Sequence, residues 1–262
     1  MSRLKILLTN DDGIESTGLK YLWESLKEIG ELSVVAPNTE KSGTGVGVTF
    51  MGPLNVEPVD VYAETAAWKV DGTPADCVKL AVGALMTSPP DLIVSGINHG
   101  SNAGRNVLYS GTIGGIIEGV LRGIPGVAFS YVCGQTPSFP HVKRFIPQII
   151  DHLMTHPLPA GSFLNVNFPH TDNGKFKGYK MARQGRSYWI ETPKHDLHPE
   201  KGHSQYWMHG THSDHEEDDQ SDIALLNQGY ITAVPIHVNE LTDHEHLAEK
   251  KKVFENDLNQ FF

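Results

Sequence analysis

Short apolar runs and amphipathic segments alternate along the first part of the chain. Residues 4–8 and residues 32–36 are apolar runs of strand length. Between them, apolar side chains recur at helical spacing over residues 19–29, and Ser16 or Thr17 can serve as the N-cap. This strand–helix–strand order predicts a parallel sheet with right-handed crossovers.

The alternation continues to about residue 153. It predicts strands at residues 91–96 and 127–132, helices at residues 75–85, 113–121 and 142–153, and a strand-rich stretch at residues 46–70. Pro147 should shorten or kink the last of these helices. Thr73, followed by a proline and then by Asp76, is a helix start, so we interpret both residues as caps rather than substrate ligands.

The pattern changes near residue 160. Apolar residues alternate with asparagines over residues 164–168, and the later segments are β-like with long polar inserts. We therefore expect an α/β core at residues 1–160 and a β-rich C-terminal region at residues 161–262. Within that region, residues 195–222 form a polar insertion, and residues 240–262 form a charged arm suited to docking on a neighbouring subunit.

Charge and composition narrow the class of protein. The net charge of −10 argues against a duplex DNA or RNA binder, whose affinity rests on cationic contacts to phosphates. A small anionic substrate is compatible with this net charge, because one bound metal ion reverses the sign of the charge at a local site. No run approaches the roughly 20 apolar residues of a membrane span. We expect Cys77 and Cys133 to be buried thiols in a cytoplasmic protein.

Candidate chemistry lies where the predicted strands end. Asp11 and Asp12 follow the first strand directly, and ligands of open α/β sheets bind at the carboxyl ends of strands. Two buried carboxylates need a cation or hydrogen-bond donors to compensate them. Ser42 and Asn98 lie at other strand ends or in adjacent loops. All four residues offer oxygen ligands, which hard cations such as Mg²⁺, Mn²⁺ or Ca²⁺ prefer.

A second feature predicts an anion site. Ser110, Gly111 and Thr112 open a predicted helix, where free N–H groups and the positive end of the dipole favour a phosphate. The dipole stabilises an anion by only ~0.3–2 kcal/mol, which can position a phosphate but cannot account for its hydrolysis. Hydrolysis would therefore depend on the metal, which polarises the phosphoryl group and activates a water.

Taken together, these segments resemble the SurE family of nucleoside-monophosphate phosphatases. The matching segments are TNDDGIESTGL, APNTEKSGTG, VDGTPADCVKLA, SGINHGSNAGRNVLYSGTIGGIIEG, NVNFP and SDIALLNQGYITAVP, in the family's order from residue 5 to about residue 236. The resemblance implies a Rossmann-like core and a smaller β-rich region used for assembly into a homodimer or homotetramer. It also implies hydrolysis of 5′- and 3′-nucleotides and, in some members, of short polyphosphate.

The resemblance also implies a set of site residues. One divalent ion per subunit, Mg²⁺ or Mn²⁺, would be held by Asp11, Asp12, Ser42 and Asn98. We expect Asn98, Ser110, Gly111 and Thr112 to bind the phosphate, and Asp11 and Asp12 to be catalytic. Direct attack by a metal-associated water is the favoured mechanism, with a covalent aspartyl-phosphate as its rival.

Other interpretations of the sequence fit less well. A signalling receiver would need a lone acid at a later strand end and a downstream Lys, and residues 50–75 do not supply that acid. A receiver-like or other phosphate-binding regulator without turnover is the alternative function. Adjacent acids also differ from the Asp-x-Asp of haloacid-dehalogenase-type phosphatases. No G-x-G-x-x-G follows the first strand, which argues against a dinucleotide-binding dehydrogenase.

Several polar residues lie outside this ligand set. Arg105 is a candidate phosphate contact, whereas His99 is interpreted as peripheral. The six histidines of residues 195–215 fit no established metal-ligand spacing and favour a solvated insertion. Tyr188-Trp189 and Tyr206-Trp207 could pack at a subunit contact or stack on a base.

Overall fold

A mixed β-sheet covered by helices on both faces organises the chain in the computed structural model, which describes residues 3–132, 139–171, 175–213 and 215–260. The strands are β1 (Leu4–Thr9), β2 (Gly30–Pro37), β3 (Val56–Pro58), β4 (Ala66–Val70), β5 (Leu92–His99), β6 (Gly126–Tyr131), β7 (Ser162–Phe168), β8 (Tyr179–Met181), β9 (Trp189–Leu197), β10 (Ser204–His212) and β11 (Ile231–His237). The helices are α1 (Thr17–Leu26), α2 (Pro74–Leu80), α3 (Gly111–Val120), α4 (Pro140–Lys143), α5 (Ile146–Thr155), α6 (Asp222–Asn227) and α7 (His244–Asn259).

The strand order places a topological switch beside β1. Within the described residues the large sheet runs β3-β4-β2-β1-β5-β6-β7-β11-β8, and the six strands from β4 to β7 in that order are parallel. After β1 the chain continues to β2, which lies on one side of β1, and it later enters β5, which lies on the other side of β1. Loops that diverge in this way leave a crevice at the carboxyl ends of the strands, where open α/β sheets bind ligands. The predicted mostly parallel α/β sheet is therefore confirmed.

Successive residues of β1 face opposite layers. Ile6 and Leu8 belong to the core that includes α1 and α5, whereas Leu7 belongs to the core that includes α2 and α3. All three side chains are fully buried. A strand buried on both faces requires the continuous apolar run seen in the sequence, rather than alternating apolar and polar residues.

Helix ends follow the local sequence signals. Ser16 caps α1 by accepting a hydrogen bond from the Leu19 N–H at 3.3 Å. Thr73 and Asp76 form a reciprocal capping box at the start of α2, which confirms their interpretation as caps. The helix predicted over residues 142–153 is divided into α4 and α5, with Pro147 in the first turn of α5.

A buried polar network fastens the loop after β5 to the neighbouring strands. The Asn102 N–H donates to Asn167 Oδ1 at 2.8 Å, and Asn165 Nδ2 donates to the Asn102 carbonyl at 2.9 Å. Asn102 Nδ2 donates to Ser130 Oγ at 2.8 Å. The asparagines that alternate with apolar residues in β7 are thus fully buried, and they hold the loop that leads to α3.

Some elements of the C-terminal region belong to the large sheet, and others project from it. Strands β7, β8 and β11 belong to the large sheet, whereas β9 and β10 form a separate antiparallel hairpin. The side chains of β9 are exposed along its whole length, and α7 has no buried residue. The domain boundary expected near residue 160 stays a prediction.

Two further predictions concern the thiols and the membrane. Cys77 is a free, fully buried thiol, and burial raises its pKa well above the usual range. Cys133 lies outside the described residues. Within the part of the chain that the structure describes, no helix is both long and apolar enough to cross a bilayer.

Candidate active site

The acidic pair lies at the end of β1, against the first turn of α3. Asp11 is only 4% exposed, and its Oδ1 accepts a hydrogen bond from Thr112 Oγ1 at 2.5 Å. A Cβ on Gly111 would lie 2.7 Å from the Asp11 Cβ, so only glycine allows this approach without displacement. Gly111 and Thr112, both proposed from the sequence, therefore border the acidic pair directly.

Burial and mutual repulsion make both carboxylates costly to ionise. Burial raises the pKa of Asp11, although the hydrogen bonds from Thr112 and from the backbone work against it. Burial, followed by the charge of Asp11, raises the pKa of Asp12 to about 6. The backbone N–H of His99 donates to the Asp12 carboxylate and partly offsets this effect. A bound cation would remove the same penalty.

The loop after β2 brings a third carboxylate near the pair. Ser42 Oγ donates to Glu40 Oε1 at 2.6 Å, and the Lys41 N–H donates to the Asp11 carbonyl at 2.7 Å. The charge of Glu40 contributes to the raised pKa of both Asp11 and Asp12. Sequence reasoning missed Glu40; its position two residues before Ser42 was the available signal.

Asn98 presents an amide to the same place from the end of β5. Its Nδ2 donates to the Gly100 carbonyl at 2.9 Å, which leaves the Oδ1 of the same amide as a ligand oxygen. Gly100 has a φ of +119°, a conformation that L side chains rarely adopt, so the turn that receives this bond favours glycine. The amide orientation is thus fixed by the loop backbone.

One cavity of about 230 Å³, which we call the phosphate cavity, brings most of these groups together. Its lining residues are Asp11, Ser42, Gly43, Asn98, His99, Ser101, Asn102, Asn106, Tyr109, Ser110, Trp189 and Glu191. Asp12 adjoins it through its bond to the His99 backbone, and Gly111 and Thr112 adjoin it through Asp11. Glu191, at the base of the hairpin, was not assigned to the site from the sequence, whereas Trp189 was one of the aromatic residues that could pack at a subunit contact or stack on a base. Arg105 is exposed and is not one of the lining residues.

The donor set fits a hard divalent cation. Two neighbouring carboxylates, a hydroxyl and an amide oxygen are the ligand types that Mg²⁺ and Mn²⁺ take in proteins, with water completing the shell. The cavity lining contains no Lys or Arg among the described residues, so a bound cation would supply the missing positive charge. Across the described residues, no group of three or more His, Cys, Asp or Glu side chains is placed to hold a metal.

The fold and the cavity together define a Rossmann-like α/β protein with an acidic, oxygen-rich ligand site at its topological switch. The chain belongs to the survival protein SurE family, whose model matches residues 6–191. The family resemblance found in the sequence motifs is therefore confirmed.

Relatives match almost the whole chain. A protein of Protochlamydia amoebophila named 5′-nucleotidase SurE is 45% identical over 259 residues, covering 98% of this chain and 99% of the relative. A protein of the same name from Cytophaga hutchinsonii is 40% identical, with 95% and 96% covered. The crystal structure of the SurE protein from Aquifex aeolicus superimposes with a TM-score of 0.81 at 34% identity, covering 95% of this chain and 99% of that one.

Proposed function

We propose that this chain is a divalent-metal-dependent phosphatase that hydrolyses nucleoside 5′-monophosphates, and also 3′-monophosphates, to nucleoside and phosphate. The observation that carries the proposal is the buried Asp11–Asp12 pair beside the N-terminus of α3. Full-length similarity to proteins named 5′-nucleotidase SurE supports the substrate class. We extend the proposal to short polyphosphate, which offers the same terminal phosphoryl group.

Asp11, Asp12, Ser42 and Asn98 would hold one Mg²⁺ or Mn²⁺ ion per subunit. When bound, the ion polarises the phosphoryl group and lowers the pKa of a water. Ser110, Gly111 and Thr112 orient the phosphate at the start of α3, and Asn98 adds an amide contact. Because the N–H and the hydroxyl of Thr112 donate to Asp11, the Gly111 N–H and the Ser110 hydroxyl are the donors left for the phosphate. Asp11 or Asp12 orients the attacking water or accepts its proton; without a cation, burial and the charge of Asp11 raise the pKa of Asp12 to about 6.

The decisive measurement is phosphate release from AMP. We expect release with Mn²⁺ or Mg²⁺, loss of release in EDTA, and recovery when either ion is restored. Absence of release from every 5′- and 3′-nucleotide tested would instead favour a phosphate-binding regulator without turnover. Acid quenching during turnover of AMP labelled with ³²P in its phosphate separates direct attack from an aspartyl-phosphate, because only the covalent route leaves label attached to the protein.

We also propose that the protein is cytoplasmic and forms a homodimer or homotetramer. The buried free thiol of Cys77 is consistent with a reducing compartment. An isolated two-stranded hairpin is at best marginally stable in water, and β9 and β10 expose large apolar side chains. A second copy of the chain covering these surfaces would stabilise them.

A further inference from the structure

A second cavity opens beside the phosphate cavity, between the loop after β5 and helix α6. It has a volume of about 620 Å³, within the range of small-molecule sites, and we call it the α6 cavity. Five residues line both cavities: Asn98, His99, Ser101, Asn106 and Trp189. The two cavities therefore lie side by side, which is the arrangement required by a ligand with its phosphate at α3 and its other part in the α6 cavity.

The lining of the α6 cavity suits an uncharged, partly aromatic group. Val132, Ile223 and Leu226 supply apolar surface, and Asn106 and Asn227 supply amides. Among the described residues that line it there is no Lys or Arg, and no Asp or Glu. A polyphosphate chain extending here would meet no counter-charge, whereas a nucleoside carries no charge and needs apolar contact together with a few hydrogen bonds.

Trp189 is held at the boundary between the two cavities by its backbone. Its N–H donates to Asn106 Oδ1 at 3.1 Å, and the Arg105 N–H donates to the Ser187 carbonyl at 2.9 Å. Glu217 Oε1 accepts from the Ser187 N–H at 2.8 Å, which fixes the approach to β9. The base of the hairpin is thus tied to the loop that lines the phosphate cavity.

The indole ring of Trp189 lies against strand β10 at Gly210. A Cβ on Gly210 would lie 3.1 Å from Trp189 Cε3, so the absence of a side chain there makes room for the ring against β10. The ring is half exposed and lines both cavities. A flat aromatic surface supported in this way offers a stacking platform for a nucleobase.

We infer that the nucleoside part of the substrate occupies the α6 cavity, with the base stacked on Trp189 and hydrogen-bonded by Asn106 or Asn227. This inference rests on the proposed nucleotidase function and assigns the recognition of the base to this chain's own hairpin. It makes Trp189 a specificity-determining residue for nucleotides over base-free phosphate esters. Asp11, Asp12 and the α3 terminus serve both kinds of substrate equally.

The test compares AMP with ribose 5-phosphate, which lacks only the base, in the full-length metal-loaded protein. We expect Trp189→Ala to raise KM for AMP about tenfold, in line with the loss of one base–aromatic stack, and to lower kcat/KM for ribose 5-phosphate by a much smaller factor, since Trp189 also lines the phosphate cavity. Trp189→Phe should retain most of the affinity for AMP. Trp207→Ala is the matched control: Trp207 is 57% exposed on the same hairpin but is not one of the residues that line the two described cavities.

Equal losses for AMP and ribose 5-phosphate in Trp189→Ala would overturn the inference, because they would assign Trp189 to the structure of the site. Calorimetric binding of adenosine, which needs no turnover, separates the two proposals. If the wild-type protein releases no phosphate from AMP yet binds adenosine through Trp189, the nucleotidase proposal fails and the nucleoside site stands. If adenosine binds equally to the wild type and to Trp189→Ala, the nucleoside site fails. Light scattering on each variant detects any change of assembly.

Discussion

At the scale of single residues, the unusual feature is a pair of adjacent carboxyl groups whose surroundings disfavour the ionised form of each. Asp11 is buried, and Asp12 lies close enough for the charge of Asp11 to raise its pKa. Hydrogen bonds from the Thr112 side chain and backbone only partly offset the burial of Asp11, and the single bond from the His99 backbone only partly offsets the burial of Asp12. A protein that keeps such an arrangement without a cation would lose stability, so the pair has to be understood together with a ligand.

Replacing one carboxylate should therefore lower the activity and raise the stability of the metal-free protein. We expect Asp12→Asn to lower kcat for AMP by about 100-fold or more, because it removes a proton acceptor and a charged ligand. In EDTA the same variant should melt at a higher temperature than the wild type, since the repulsion with Asp11 is gone. The rise in melting temperature that Mn²⁺ gives the wild type should be lost.

Asp60→Asn provides the control for this experiment, because it makes the same chemical change at an exposed position. It should leave kcat and both melting temperatures unaltered. Full turnover by Asp12→Asn in Mn²⁺ would remove Asp12 from the mechanism.

At Asp76, in contrast to Asp11 and Asp12, the surroundings favour the ionised form of the carboxyl group. Burial alone would raise its pKa, but hydrogen bonds from Thr49 and Thr73 outweigh burial and lower the pKa of this carboxyl below its usual value. A lowered folded-state pKa stabilises the protein above the unfolded-state pKa of about 3.9, and this stabilisation is lost as the pH falls through the folded value. The carboxylate accepts from the Thr49 N–H at 2.9 Å and from Thr49 Oγ1 at 2.7 Å.

We expect Asp76→Asn to lower the free energy of unfolding at pH 7 by about 1–3 kcal/mol, because an amide N–H₂ would face donors that the carboxylate now accepts. The difference from the wild type should begin to shrink as the pH falls below about 4, where residue 76 of the unfolded chain takes up a proton, and should shrink further until the pH passes the lowered pKa of folded Asp76. Urea unfolding at pH 7 and at pH 3.5 measures both values. A difference that is the same at the two pH values would contradict the electrostatic account.

At the scale of elements, the packing of α1 on β5 depends on glycine at position 18, which has no side chain. A Cβ on Gly18 would overlap the Ile97 carbonyl oxygen, and a backbone atom cannot move aside cheaply. We expect Gly18→Ala to lower the free energy of unfolding by about 1–3 kcal/mol, as overpacking does. A Cβ on Gly83, which lies in the π-helical turn Ala81–Leu85 that follows α2, would have nothing within 4 Å, so Gly83→Ala should be neutral or stabilising by up to about 1 kcal/mol.

Urea unfolding of the two alanine variants compares the same change in crowded and in open surroundings. Equal stability of Gly18→Ala and the wild type would show that α1 does not need its close approach to β5.

Local signals predicted these elements well because each depends on neighbours in sequence. The strand runs, the Ser16 cap and the Thr73 capping box can all be recognised within a few residues. The sequence also indicated that Asp11, Ser42 and Asn98 belong to strand ends, and the structure brings all three to one cavity. Their roles as ligands stay predictions.

The features that the sequence left open or missed depend on distant partners. Trp189 lies at the site because distant residues hold the base of the hairpin there, among them Asn106, which lies some eighty residues earlier in the chain and accepts the Trp189 backbone N–H. The asparagines of β7 alternate with apolar residues, a pattern that is also typical of a strand with one solvent-facing side. They are buried instead, because the Asn102 N–H donates to Asn167 and the Asn102 carbonyl accepts from Asn165. No local pattern contains that information.

At the scale of the whole molecule, the C-terminal arm lacks a core of its own. Helix α7 is sixteen residues long with no buried residue, and a helix of that length is marginal in water without packing. Leu247, Phe254 and Leu258 are spaced so that they share one face of α7, and each is exposed by 44% or more. An apolar stripe on an otherwise charged helix favours docking on a second copy of the chain.

We expect Phe254→Asp to disrupt the assembly, because it places a charge in the middle of that stripe. Light scattering should show a mass falling from that of the dimer or tetramer toward the 28.8 kDa of a single chain. Asn256→Asp adds the same charge about 200° around the helix from Phe254 and should leave the mass unchanged. If Phe254→Asp keeps the wild-type mass, α7 is not the docking element. The exposed hairpin β9–β10 is then the surface that must account for any oligomer, since its apolar side chains are the other large uncovered set in the described C-terminal region.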